Sequence, residues 1–100
     1  MGTDRHTLPI EGDVSIYTVG ELKSQLLQAM TQHPALDLDL AMVTEIDGAG
    51  VQLLMSARKQ ALAMGQTLTL SNHSMPVLEM WERLDLAGWF GDPLILPARD

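Results

Sequence analysis

The chain has no cysteine. That excludes a disulfide scaffold and any thiolate metal site, and it fits a reducing compartment. Basic residues are few: six Lys and Arg stand against thirteen Asp and Glu, for a net charge of −7. Arg5, Lys23, Arg58, Lys59, Arg83 and Arg99 are scattered along the chain. Nothing gathers enough positive charge to neutralise a phosphate backbone, so neither nucleic acid nor an anionic membrane is expected as a direct partner. The balance suits solubility and a protein partner with basic groups. No apolar run approaches the roughly 20 residues of a membrane span. The opening residues MGTDRHTLPIEGD lack a basic stretch followed by an apolar one, so they do not read as a secretory signal. Arg5-His6 stands where a myristoylation signal wants Ser or Thr. A cytoplasmic chain is expected.

What is present suits a single domain over residues 1–100, with 1–4 frayed. The chain has 100 residues, 46% of them hydrophobic, enough for one core without staples. The stretch LDLDLAMVTEIDGAGVQ, Leu36 to Gln52, organises the rest. Leu36, Leu38 and Leu40 alternate with Asp37 and Asp39, the period of a half-buried strand with the aspartates facing solvent. After Val43 and Ile46 comes Asp47-Gly48-Ala49-Gly50, and from Val51 the apolar residues fall at helical spacing. Strand, tight loop, helix is the reading. Such a loop lies at a helix N-terminus, where free N–H groups and the helix dipole favour an anion, a capping carboxylate or a partner's acidic group.

Upstream, Arg5 to Ile10 reads as a strand weakened by Pro9, and Glu11-Gly12-Asp13 as a turn. Thr18 and Glu21 have capping-box spacing ahead of a helix with the stripe Leu22, Leu26, Ala29 and Met30, ending near His33-Pro34. Downstream, a second helix spans about Ala49 to Met64, stopped by Gly65, with an apolar arc wider than one core contact needs. Gln66 to Leu70 is a further strand, which makes a right-handed βαβ crossover. A third helix follows, with Asn72 or Ser74 as cap, Pro76 in its first turn and a stripe of Val77, Leu78, Trp81 and Leu84. Trp89 and Phe90 read as a plug for the end of the core, and Leu94-Ile95-Leu96 as a short last strand.

The central stretch resembles the core motif of the STAS family, the sulfate transporter and anti-sigma factor antagonist domains. Their pattern is Asp-Leu-Ser-x-Val-x-x-Ile-Asp-Ser-Ser-Gly-Leu. Asp39, Leu40, Val43, Ile46, Asp47 and Gly50 match it, and Val51 takes the Leu position. The resemblance extends over most of the chain. It implies an α/β domain with a mixed four- to five-stranded sheet and helices packed mainly on one face. In the anti-sigma antagonists the residue after the Asp is a Ser or Thr phosphorylated by a partner kinase. Here it is Gly48, and Ala49 removes the next hydroxyl.

The resemblance implies a bacterial, non-enzymatic signalling module of the anti-sigma factor antagonist type. It would bind a serine kinase or anti-sigma-like partner without the usual phosphoserine switch. Asp39, Thr44, Asp47, Gly48, Ala49, Gly50, Val51 and Leu54 are the expected contact residues. Thr44 and Ser56 are the substitute hydroxyls, with Thr44 preferred as a loop residue. The alternative is a detached assembly or regulatory subunit of a lipid or anion transporter, bound to its ATPase. A nucleotide or small-molecule binder ranks last. The Gly48–Gly50 turn matches neither phosphate-loop pattern, and no basic residue follows within the first helical turn. No cofactor and no metal are expected: His33 has no second ligand nearby, and His73-Ser74 has no orienting acid in sequence.

Overall fold

A computed structural model describes residues 5–84. The expectations for residues 1–4, for Trp89 and Phe90 and for the last strand lie outside them. The described chain runs β1 (His6–Val14), α1 (Val19–Gln32), β2 (Ala35–Ile46), α2 (Gly48–Ala63), β3 (Thr67–Ser71) and α3 (Met75–Leu84).

The strands lie in the order β1-β2-β3 and both pairs are parallel. Among the described residues the sheet is therefore three-stranded and parallel, where a mixed sheet of four to five strands was expected. Each helix returns the chain to the start of the next strand, so parallel pairing follows from the two βαβ units. Right-handed crossovers stepping in one direction put α1 and α2 on one face, and these two helices touch each other. α3 instead packs on the central strand β2.

That arrangement decides the fate of the alternating stretch. Leu36, Leu38 and Leu40 are fully buried and join Leu26 and Met30 of α1, Leu54, Ala57 and Ala61 of α2 and Leu68 and Leu70 of β3. Burying each such leucine contributes at most about 1.5–3 kcal/mol. The other face was expected to be wet at Asp37. It is not: Asp37 is 8% exposed. Its carboxylate accepts from the Thr69 hydroxyl at 2.6 Å and the Ser71 hydroxyl at 2.5 Å, both across the β2–β3 pair. Sequence alternation places Asp37 on the second face but cannot show the two hydroxyls of β3 that enclose it.

β1 also departs from the expected strand and turn. It continues through Glu11-Gly12-Asp13 to Val14. Gly12 has φ +82°, and the register against β2 shifts on both sides of it. Gly12 thus lies inside a strand rather than in a turn between elements, and the extra residue at each irregularity is on β2. Pro9 is accommodated because β1 has a strand neighbour on one side only among the described residues.

Candidate functional site

In a parallel sheet the C-terminal ends of all strands gather at one edge. Here β1 ends at Val14 and β2 at Ile46, and the Asp47 N–H donates to the Val14 carbonyl at 3.2 Å. The two following loops, 15–18 and Asp47, are thereby neighbours.

Asp47 ties them together. It is the N-cap of α2 in extended conformation. One carboxylate oxygen accepts from the Gly50 N–H at 3.0 Å, the other from the Ile16 N–H at 3.1 Å. The Gly50 and then the Ile16 hydrogen bonds hold the Asp47 carboxyl below its usual range. The anion that the helix N-terminus favours is thus supplied by the chain itself.

The two glycines of the loop have opposite roles. Gly50 is buried. A Cβ there would overlap the Val14 carbonyl oxygen and stand 2.8 Å from Val14 Cγ1, so the turn of helix can approach β1 only with glycine. At Gly48 a Cβ would meet nothing within 4 Å among the described residues. That position is exposed, and a side chain on it would point into open space.

The remaining expected contact residues divide. Ala49 is half-buried beside Gly48. Thr44 is exposed, but it belongs to strand β2 rather than to the loop. Val51 and Leu54 are 4% and 2% exposed and belong to the core. Their side chains do not reach a surface; a helix buried along its first turn hides both behind Gly48 and Ala49. Asp39 is a backbone support: its carboxylate accepts from the Ala41 N–H at 3.0 Å, at the point where β2 carries extra residues relative to β1. Asp39 does not line the cleft that Asp47 lines. Ser56 is exposed over a separate hollow between α1 and α2, beside Lys23, Leu27 and Gln60.

Sequence reasoning missed the loop between β1 and α1. Ile16 is 66% exposed and Tyr17 is 90% exposed. The Ile16 amide is held by Asp47, so this apolar pair stands beside Gly48. Thr18, expected as a helix cap, makes no cap bond. Its hydroxyl instead donates to the Asp13 carbonyl at 2.7 Å and accepts from the Ser15 N–H at 3.0 Å, which stiffens the loop carrying the pair. The available signal was an Ile-Tyr dipeptide inside a turn, too large and apolar for a mere connection.

The same edge holds a cleft of about 440 Å³ between the two loops, the end of β2 and α3. Asp13, Glu45, Asp47 and Glu79 supply carboxylates to it, Arg83 a guanidinium, and Tyr17, Ile46, Pro76 and Met80 apolar surface. Elsewhere, His73 lies near Asp37 and edge-on to Trp81, with ring centroids 6.0 Å apart. Burial lowers the His73 pKa, against an upward pull from Asp37. His73 Nε2 and the Ser74 hydroxyl are both buried without a hydrogen-bond partner among the described residues. The acid missing from the sequence around His73 is therefore Asp37, but its oxygens are taken by Thr69 and Ser71. No group of three or more His, Asp or Glu is placed to hold a metal ion among the described residues.

The fold is thus a small parallel βα domain whose loop edge is pinned by one capping aspartate. The family model described as "Mlab, STAS domain" matches residues 2–97, and the chain belongs to that family. No curated protein sequence matches it. Among solved structures it is similar to the anti-sigma factor antagonist SpoIIAA in its unphosphorylated form. The TM-score is 0.67 at 18% identity, over 93% of this chain and 83% of that one. It is also similar to part of Mglu, with TM-score 0.60 at 22% identity over 67% of this chain. The match spans only 17% of the Mglu chain. At these identities the two likenesses establish the fold. No helix among the described residues is long and apolar enough to cross a membrane.

Proposed function

We propose that this chain is a non-enzymatic protein-interaction module that docks through the Asp47–Gly50 loop and the adjacent β1–α1 loop. One observation carries the reading. Position 48 is exposed and sterically open, and the preceding Asp47 holds the neighbouring loop that carries Ile16 and Tyr17, two large, exposed apolar side chains. Aromatic anchors beside a fixed backbone are the usual energetic centre of an interface. The partner class is a serine kinase or anti-sigma-like protein, as the likeness to an anti-sigma factor antagonist supports.

Gly48 and Ala49 offer no hydroxyl at the loop. A phosphate there would add nearly two negative charges to the contact. Without that switch the association is constitutive, or its control lies in the partner. The same fact favours a second reading, a standing subunit bound to a transporter ATPase, because assembly needs no release.

Affinity capture from native lysate, wild type beside Gly48→Asp, with mass spectrometry of bait and captured proteins, tests both. A serine kinase or anti-sigma-like protein retained by wild type and lost by the variant supports the first reading. A transporter ATPase behaving so supports the second. Equal capture by the variant removes the loop as the docking surface.

A further inference from the structure

We propose that the cleft beside the Gly48 loop receives a basic, partly apolar segment of a protein partner, led by an arginine or lysine with an aliphatic neighbour. This rests on the docking reading above and adds the chemistry of what is docked.

The walls specify the charge. Four carboxylates, Asp13, Glu45, Asp47 and Glu79, face one cation, Arg83. The Asp47 carboxyl is held charged by its two amide donors. In Asp13 one oxygen accepts from the Ser15 hydroxyl at 3.0 Å, while the other is buried and receives no donor among the described residues. Its charge is thus only half compensated. Low-dielectric walls concentrate such a field toward the opening.

The floor and rim specify the rest. Ile46, Pro76, Met80 and the face of Tyr17 line the cleft. Tyr17, Ile16 and Met75 are more than half exposed around it. An arginine stem can lie along Met80 while its guanidinium meets carboxylates and an aromatic face, and a neighbouring aliphatic group can cover Ile16. The other occupants fit worse. A nucleotide or phosphate would meet four carboxylates. A second copy of the chain would bring another net −7 to an acidic surface. A metal ion lacks a close set of ligands among the described residues.

The test uses the whole chain and two synthetic helical peptides of about twelve residues. One carries arginine on one face and leucine on the other; its twin carries glutamate for arginine. Amide resonances of the ¹⁵N-labelled protein report the site. The expected result is that the arginine peptide shifts Tyr17, Thr44, Glu45 and Glu79. Its apparent Kd should weaken at least about tenfold in Glu45→Lys/Glu79→Lys, stay within about twofold in Glu21→Lys on α1, and weaken with salt. The glutamate peptide should not bind. Both glutamates are exposed, so the double variant should keep its fold, and Glu45→Lys alone provides the smaller perturbation. Shifts spread over the surface, equal weakening by Glu21→Lys, or no binding overturns the proposal. A partner lost by Gly48→Asp yet retained by Glu45→Lys/Glu79→Lys would sink the cleft and leave the docking loop standing.

Discussion

Gly48 and Gly50 are two residues apart and should respond oppositely to one added methyl group. Gly50→Ala drives a Cβ into the Val14 carbonyl, and the expected loss is about 1–3 kcal/mol of stability in denaturant melts. Gly48→Ala should leave the midpoint unchanged or slightly raised, because the new atom meets nothing and alanine is the better helix former. Asp47 and His73 set the pH response. The folded Asp47 carboxyl titrates below its ordinary value near 3.8. Its contribution is therefore present above that pH and is lost as pH falls through the folded value. His73 has the opposite charge type but the same slope. Its folded pKa lies below the ordinary 6.5, so below pH 6.5 the unfolded chain takes the proton first and stability falls with falling pH. Thermal melts of His73→Gln should show a flatter slope just below pH 6.5 than wild type. Identical slopes would show that His73 is not the group responsible. The Asp47 motif was legible in sequence because its cap bond is local, three residues long. The Asp37 cluster was not, because its partners lie 32 and 34 residues away.

The helices show how far local pattern carries. Leu26 and Met30 in α1 and Val77, Leu78 and Trp81 in α3 sit in the buried stripes that their spacing predicts. Leu84 completes the same stripe in sequence yet is 46% exposed. Trp81 is 1% exposed and carries α3 into the core against β2. Trp81→Ala should cost about 3–5 kcal/mol, read as a lower midpoint in urea. β1 was half legible. Arg5 to Ile10 reads as a strand despite Pro9, but Gly12 signals a turn, and only pairing with β2 shows that the strand runs on through it. The β1–α1 loop was the least legible element at the site. Thr18 carries the signature of a helix cap while its hydroxyl serves the turn before it.

For the whole molecule, the parallel order β1-β2-β3 brings to one edge what the sequence keeps apart: Ile16 and Tyr17, the Asp47–Gly50 loop and one side of α3. The family's motif marks only the middle of these three. The resulting surface is acidic, with apolar anchors, in a chain of net charge −7. Association should therefore slow as ionic strength rises, with most of the change in the on-rate. Tyr17→Ala should weaken partner binding by about 2 kcal/mol, the scale of an interface hot spot, with little change in thermal midpoint because the ring is 90% exposed.

The central claim is that position 48 lies inside the docking surface. The most direct measurement is the affinity of the purified, identified partner for wild type, Gly48→Asp and Ser56→Asp by titration calorimetry. A negative charge at the first residue of α2 is favourable to the helix, so Gly48→Asp should stay folded and any loss belongs to binding. The account predicts at least about tenfold weaker binding for Gly48→Asp and near wild-type affinity for Ser56→Asp, which lies over a separate hollow. Equal affinity of Gly48→Asp and wild type would contradict it.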